Sequence, residues 1–251
     1  FAALSILNLL EGFDVAAWGD NTVAYYHHMV EAVKVAFADR DAWLTDPAWV
    51  DIPLDDLLSK EYAHRRRGLM AADRALVGQE VEPGLPFTPD RMRDVTLSGD
   101  TVYFATADQD GQVVSIIQSI YHDFGSAVIG GDTGIILQNR GSFFSLADDH
   151  PNRLEPGKRT FHTIIPAMLL RDGAPYLAYG SMGGEGQPQT QAALVTRIVD
   201  FGYGVQQAIE APRWLMGRTW GTESRDLAIE ARIPESVISE LIRLGHPVKI
   251  A

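Results

Sequence analysis

Thr101 follows Gly99 and Asp100 at the junction between a proline-rich stretch and a predicted strand. If the chain were cut before Thr101, this residue would carry a hydroxyl and a free α-amine at a new chain end. The unperturbed pKa of such an amine is about 8, so roughly a tenth of it is neutral at pH 7. A neutral amine can draw the proton from its own hydroxyl and activate it as a nucleophile. Threonine is also common in strands, so these residues alone leave a structural role open.

The remaining polar groups form no comparable pattern. The seven histidines lack metal-ligand spacing, and the sequence contains neither an HExxH nor a GxSxG motif. His27-His28 are neighbours on a predicted helix, Asp148-Asp149-His150 belongs to a predicted turn, and Gly183-Gly184-Glu185-Gly186 lacks the Lys-Ser/Thr end of a phosphate-binding loop. Because the sequence has no cysteine, disulfides, thiolate metal sites and cysteine nucleophiles are excluded. The predicted chemistry requires no metal and no cofactor.

Charge and hydropathy exclude several classes of partner. The 251 residues include 21 basic and 33 acidic side chains, a net charge of −12. A nucleic acid or an anionic membrane would require a basic face, so neither is an expected partner. No apolar run approaches the roughly 20 residues of a membrane span. The chain starts with Phe1 inside an apolar pattern, so we interpret it as a fragment or processed piece, and its compartment, cytoplasmic or exported, stays open.

The first hundred residues are predicted to be mainly helical. Apolar residues recur at helical spacing over residues 22–44, and Asp20-Asn21-Thr22 offers a cap. A further helix is predicted over residues 54–70, with its His64-Arg65-Arg66-Arg67 run interpreted as a solvated face. Prolines and polar residues over positions 81–99 predict a mobile connector.

The rest of the chain is predicted to be rich in strands. Asp110-Gly111 and Asp172-Gly173 are hairpin signals. The first predicted hairpin pairs strands 101–107 and 113–120, and the second pairs strands 163–170 and 176–179. Two further short strands are predicted around residue 128 and at 135–137. Three helices are predicted at 188–201, 205–210 and 236–244. Helices, then hairpins, then helices favour an α+β fold in which helices cover antiparallel sheets.

A series of short motifs runs along the chain: Glu31-Ala32-Val33-Lys34-Val35-Ala36-Phe37-Ala38-Asp39-Arg40, Thr45-Asp46-Pro47, Asp108-Gln109-Asp110-Gly111, Val113-Val114-Ser115, Phe124-Gly125-Ser126, Gly134-Ile135-Ile136-Leu137, Gly180-Ser181-Met182-Gly183-Gly184, Asp200-Phe201-Gly202 and Ala211-Pro212-Arg213. In order and spacing they resemble the γ-glutamyltranspeptidase family of N-terminal-nucleophile hydrolases. The resemblance covers essentially the whole chain. It implies a four-layer αββα sandwich, of which this chain is expected to be a truncated part.

The resemblance also implies a precursor that Thr101 itself cleaves after Asp100. Residues 1–100 would then be the C-terminal part of a large helical subunit with its processing linker. Residues 101–251 would be a small subunit, truncated at its end, and the two subunits would together form one structural domain.

The same resemblance implies a reaction. Thr101 would attack the γ-carbonyl of a γ-glutamyl amide of the glutathione type, and water or an acceptor amine would release the acyl-enzyme. Ser119 matches a hydroxyl that supports the nucleophile in the family. Gly183 and Gly184 match the pair whose backbone N–H groups form the oxyanion hole. Glycine suits that role because it allows close approach of the backbone.

The positions that grip the substrate's α-amine and α-carboxylate in the family are altered here. They correspond to Tyr121, Arg140, Phe143 and His162, while Thr163 keeps a hydroxyl. Phe143 removes the expected partner of the ammonium group, whereas Arg140 adds a cation that can hold a carboxylate through two hydrogen bonds. Packed aromatics are the alternative interpretation of Tyr121 and Phe143.

Three hypotheses therefore remain open. The first is a self-processing γ-glutamyltranspeptidase-like amidohydrolase. The second is a glutaryl- or cephalosporin-type acylase on the same fold, suggested by Phe143. The third is a non-catalytic binding scaffold, suggested by Val102 and Tyr103, which depart from the family pattern after the nucleophile. The segment over 145–158 is short for the family's lid, and an open cleft favours hydrolysis or bulky acyl donors over orderly transfer.

Overall fold

The computed structural model describes residues 1–76, 81–86, 99–217 and 224–251. The helices and strands follow in the order α1 Ala2–Leu10, α2 Val15–Trp18, α3 Val23–Trp43, α4 Leu54–Leu57, α5 Lys60–Arg67, β1 Gly99–Ala107, β2 Val113–His122, β3 Ala167–Arg171, β4 Ala174–Tyr179, α6 Gln187–Val199, α7 Val205–Glu210, β5 Trp214–Met216, β6 Leu227–Ile229, α8 Glu235–Arg243 and β7 Val248–Ile250. This order is the predicted α+β class. Most of the predicted connector, residues 87–98, lies outside the described residues. None of the described helices combines the length and apolar character needed to cross a bilayer.

Helix α3 is the centre of the helical layer and packs against α1, α2, α6 and α8. It begins where predicted, because the Thr22 hydroxyl accepts the Tyr25 N–H at 3.2 Å. Its neighbours cover it on most sides, so apolar residues such as Met29 and Val33 occur around the helix rather than along one stripe. The buried core extends from α3 to α1, α6, α8 and the sheet formed by β5, β6 and β7.

The predicted helix over residues 54–70 is divided into α4 and α5. Ser59 separates the two helices, because its backbone is extended and its hydroxyl accepts the Tyr62 N–H at 3.0 Å. A serine that caps a new helix in this way competes with continuation of the preceding one. Periodicity alone does not reveal such a break.

The interpretation of residues 64–67 as a solvated face is wrong for two arginines. Arg66 is buried beside Asp39, with 3.4 Å between Nε and Oδ2. Arg67 Nε donates to the backbone oxygen of Leu9 at 2.7 Å. Both guanidinium groups therefore tie α5 to other helices, which depends on tertiary packing and is not visible in the charge pattern.

Three small sheets follow the helices. β1–β2 and β3–β4 are antiparallel hairpins that turn at the two predicted Asp-Gly pairs. The short strands predicted around 128 and 135–137 are reduced to one antiparallel bridge between Ile129 and Ile136. In the third sheet β6 pairs antiparallel with β5 and parallel with β7. This sheet was not predicted, because three-residue strands are too short to show alternation.

The β1–β2 hairpin has two different faces. Val102, Phe104 and Val114 are 52%, 41% and 47% exposed on one of them. Side chains alternate along a strand, so Thr101 and Tyr103 lie on the other face. That face lies towards β3, where the Ser115 hydroxyl donates to the Ala167 backbone oxygen at 3.0 Å.

His27 and His246 join α3 to the C-terminal segment inside the core. His27 Nε2 donates to the Ala71 oxygen at 2.7 Å, so Nδ1 accepts the Nε2 proton of His246, also at 2.7 Å. With Glu31 these side chains bring three possible ligand atoms within 4.8 Å, although sequence spacing indicated no metal site. Two nitrogens on one tetrahedral ion stand about 3.3 Å apart, so the short separation fits a hydrogen bond instead. Glu31 is held by Lys34 Nζ at 2.7 Å.

His246 should make folding pH-dependent. Burial, Lys34 and His27 lower the pKa of His246 to about 3. An unfolded histidine titrates near 6.5, so between these values the unfolded chain binds a proton that the folded chain does not. The free energy of unfolding should fall as the pH drops from about 7 towards 4, by at most about 1.4 kcal/mol per pH unit from this residue.

Denaturant titrations at several pH values measure this slope, and His246→Gln should flatten it. His64→Gln, on an exposed position of α5, is the matched control and should leave the slope unchanged. An identical slope in H246Q and the parent protein would contradict the assignment.

Candidate active site

Thr101 and Ser119 face each other across the β1–β2 hairpin. The strand register pairs them, and Thr101 Oγ1 donates to Ser119 Oγ at 2.9 Å. Thr101 is only 9% exposed, so this hydroxyl lies just below the surface. These two hydroxyls are eighteen residues apart in the sequence and are in direct contact in the structure.

The hairpin register shifts by one residue at the Asp100–Thr101 bond. Asp100 pairs with Tyr121 whereas Thr101 pairs with Ser119, so Ile120 is an extra residue on β2. Tyr121 has a φ of +75°, a conformation that costs a residue with a side chain roughly 1 kcal/mol or more. Its N–H donates to Ser119 Oγ at 3.0 Å. Ser119 therefore accepts one hydrogen bond from each strand at the point where the pairing is offset.

The segment that carries the glycine pair approaches the Thr101 face of β1. Tyr103 shares that face with Thr101, because the strand is regular between them. A β-carbon on Gly180 would lie 2.3 Å from the Tyr103 ring, so only glycine allows this approach. Gly183 and Gly184 follow with φ values of +113° and +50°, and a short 3-10 turn over Gly184–Gly186 then leads into α6.

Arg140 lies in a cluster of aromatic side chains and is 1% exposed. Its guanidinium carbon is 4.2 Å from the ring centroid of Tyr121, 4.1 Å from that of Phe143 and 5.6 Å from that of Phe161. Nη2 donates to Thr163 Oγ1, while Nε and Nη1 have no hydrogen-bond partner among the described residues. Burial is the main cause that lowers the pKa of Arg140 to about 10, so the group is still charged at neutral pH.

His162 directly precedes Thr163, the hydrogen-bond partner of Arg140, and is exposed to solvent. Partial burial of its ring and, second, the Arg140 charge lower the pKa of His162 to about 4. Its Nδ1 accepts the Ile164 N–H at 3.4 Å. The neutral ring then carries its proton on Nε2.

The short segment over 145–158 is tied down beside this cluster. Ser145 N donates to the Asn152 oxygen at 2.9 Å, and Asn152 Nδ2 donates to the Phe143 oxygen at 2.8 Å. Asn152 is fully buried. The segment therefore fixes the backbone that carries Phe143.

Sequence reasoning missed Glu185 and Arg40 as members of this region. Glu185 directly follows Gly184, and Arg40 of α3 approaches it with 3.6 Å between Nη2 and Oε2. Burial raises the pKa of Glu185, while the charges of Arg40 and Arg140 oppose this rise. Its sequence position next to the glycine pair was the one signal from which Glu185 could have been predicted to lie in this region.

Six of the predicted site residues are joined by direct contacts: Thr101, Ser119, Tyr121, Arg140, Phe143 and Thr163. Tyr121 is the shared member, since its backbone contacts Ser119 and its ring contacts Arg140. Phe143 and Thr163 join through Arg140. Gly183 and Gly184 lie between Gly180, which packs against Tyr103, and Glu185, which interacts electrostatically with Arg140.

The charge of Arg140 should affect the pKa of His162. Arg140→Met should raise the pKa of His162 from about 4 towards the ordinary 6.5, because one of the two causes of the lowering is removed. An NMR titration of the imidazole measures the change. Arg171→Met, which removes an arginine stacked 3.6 Å from the Tyr176 ring, is the matched control and should change nothing. A parent His162 that titrates near 6.5 would refute the assignment.

Comparisons with known proteins show which family this chain resembles. The family model described as gamma-glutamyltranspeptidase matches residues 1–251. The glutathione hydrolase-like YwrD proenzyme of Bacillus subtilis is 50% identical over 250 residues, which are 100% of this chain and 45% of that protein. The oxamate amidohydrolase proenzyme of Klebsiella pneumoniae is 41% identical over 256 residues, 99% of this chain and 44% of that protein.

A solved structure gives the same result. The cephalosporin acylase from Bacillus halodurans is similar with a TM-score of 0.84 and 40% identity, over 100% of this chain and 42% of that one. The chain thus spans less than half the length of these relatives. The similarity confirms the predicted αββα N-terminal-nucleophile hydrolase fold, and the chain belongs to the gamma-glutamyltranspeptidase family.

Proposed function

We propose that this chain is part of a self-processing amidohydrolase of the γ-glutamyltranspeptidase type, with Thr101 as its nucleophile. The observation that carries the proposal is the 2.9 Å hydrogen bond from Thr101 Oγ1 to Ser119 Oγ, on the strand face that the glycine segment approaches. Relatives named as proenzymes support a precursor that is cleaved into subunits.

The reaction begins once the Asp100–Thr101 bond has been cut. The free amine of Thr101 takes the Oγ1 proton as this oxygen forms a bond to the amide carbonyl carbon. The tetrahedral intermediate collapses, its C–N bond breaks, and the leaving amine receives the proton. Water then attacks the ester carbonyl with the same amine as base, which releases the carboxylic acid and restores the hydroxyl. An acceptor amine in place of water would give transfer.

The glycine pair is the proposed oxyanion hole. Gly183 and Gly184 have no side chains that would cover their backbone N–H groups, and they lie shortly before the start of α6. One such donor typically contributes a factor of about 10² to 10³ in rate. The pairing of Glu185 with Arg40 would hold the segment that follows these glycines against α3.

The proposed division into subunits is consistent with the packing. Residues 1–100 and 101–251 would become two separate chains. The hydrophobic core nevertheless contains Met29 from the first chain and Ala192 from the second. Cleavage would thus leave two chains in one structural domain.

Two classes of acyl group fit the proposed reaction. The first is the γ-glutamyl group, as in the relatives named glutathione hydrolases. The second is an acyl group of the acylase type, favoured by Phe143, which gives an ammonium no carboxylate partner at this position. The oxamate amidohydrolase relative is named for a substrate that carries a carboxylate and no ammonium.

Substitutions of the nucleophile test the proposal. Thr101→Ala should leave the precursor uncut and the amidase activity absent, because it removes the attacking oxygen. Thr101→Ser should still be cut and active. Ser119→Ala should lower kcat by about 10- to 100-fold, the size expected for a lost hydrogen bond to a group that becomes charged. Intact-mass spectrometry and anilide hydrolysis measure the two effects.

Thr106→Ala, on the exposed end of the same strand, is the matched control and should behave like the parent protein. Full activity in T101A, or full activity with the Asp100–Thr101 bond intact, would exclude the mechanism. A parent protein that neither cuts itself nor hydrolyses an amide would favour the binding-scaffold hypothesis.

A further inference from the structure

The guanidinium of Arg140 is a buried charge without a counterion among the described residues. It is 1% exposed, and its Nε and Nη1 atoms lack hydrogen-bond partners in that part of the chain. A buried charge is costly unless it is paired and hydrogen-bonded. Glu185, which also interacts with Arg140, is shared with Arg40. The arrangement therefore favours an additional anion.

The polar groups beside Arg140 also favour an anion. Thr163 Oγ1 accepts from Arg140 Nη2, so its own proton can be donated elsewhere. His162 accepts the Ile164 N–H at Nδ1, so its Nε2 is a donor. Three donors converge here, and a carboxylate is the acceptor that a guanidinium binds best through paired hydrogen bonds.

The same cluster disfavours an ammonium group. The faces of Tyr121, Phe143 and Phe161 could each stabilise a cation, but the guanidinium already occupies them. A second cation at this place would be repelled by the first. Tyr121 and Phe143 are half-buried, so rotation of these rings is the route by which a carboxylate reaches the guanidinium.

We infer that Arg140, Thr163 and His162 form a subsite for a carboxylate of the acyl group, and that it selects acyl groups without an α-ammonium. The substrates of this class are monoamides of dicarboxylic acids, for example glutaryl amides. The inference rests on the proposed chemistry of Thr101 and names the substrate class of that site.

Three p-nitroanilides of similar acyl length distinguish the possibilities in the full-length protein. The glutaryl anilide carries a carboxylate, the γ-glutamyl anilide carries a carboxylate and an ammonium, and the butyryl anilide carries neither. The kcat/KM should be highest for the glutaryl anilide, about 10-fold or more above the γ-glutamyl anilide and about 100-fold above the butyryl anilide.

Arg140→Met should lower kcat/KM for the glutaryl anilide by about 30- to 100-fold, mainly through KM, and for the butyryl anilide by less than about 3-fold. Arg140→Lys should restore part of the loss, because it returns the charge without the planar pair of donors. Arg171→Met is again the matched control. Competition in the parent protein needs no variant, and glutarate should inhibit at least about 10-fold more strongly than butyrate or L-glutamate.

The outcomes separate this subsite from the proposed function. Hydrolysis through Thr101 with the γ-glutamyl anilide preferred would overturn the subsite and leave the proposed function standing. Equal losses on the glutaryl and butyryl anilides in R140M would do the same. A parent protein that hydrolyses none of the three and acquires no acyl group on Thr101 would overturn both.

Discussion

The hydrogen bond between the Thr101 and Ser119 hydroxyls joins two strands at the point where their register shifts by one residue. The shift is maintained by Tyr121, whose left-handed backbone directs its N–H to the same serine oxygen. One oxygen therefore holds the proposed nucleophile and the irregular strand opposite it. Other parts of the site are arranged around this contact, since the Tyr121 ring begins the aromatic cluster that surrounds Arg140.

Buried charge is the second constraint on this region. Arg40, Arg140 and Glu185 are brought together where the helical layer meets the glycine segment, and their mutual electrostatics offset part of the cost of burial. Arg40 is supplied by α3, the most buried helix, and also stacks 3.7 Å from the Phe37 ring. The core of the fold thus reaches directly into the site.

Local features were predictable from the sequence. The cap at Thr22, the two Asp-Gly hairpins and the helices after the glycine segment depend on neighbours within a few residues, and they lie close to their predicted positions. The candidate site residues were predicted from the family resemblance. In the structure Tyr121 links two of them, because its backbone contacts Ser119 and its ring contacts Arg140.

Features that depend on distant contacts were not predictable. The burial of Arg66, the pairing of His27 with His246 and the role of Arg40 each require the packed helices to be known. The third sheet was not predicted, because its strands are three residues long and β7 is distant in sequence from β5 and β6. Propensity and periodicity carry little information about such short, non-local pairings.

Capture of the acyl-enzyme is the most direct test of the central claim. The full-length protein is mixed with a glutaryl or γ-glutamyl anilide, quenched with acid within a turnover, digested and mapped by mass spectrometry. The account predicts a peptide that begins with Thr101 and carries the mass of the acyl group. An acyl group on any other residue, or turnover while Thr101 is still joined to Asp100, would contradict it.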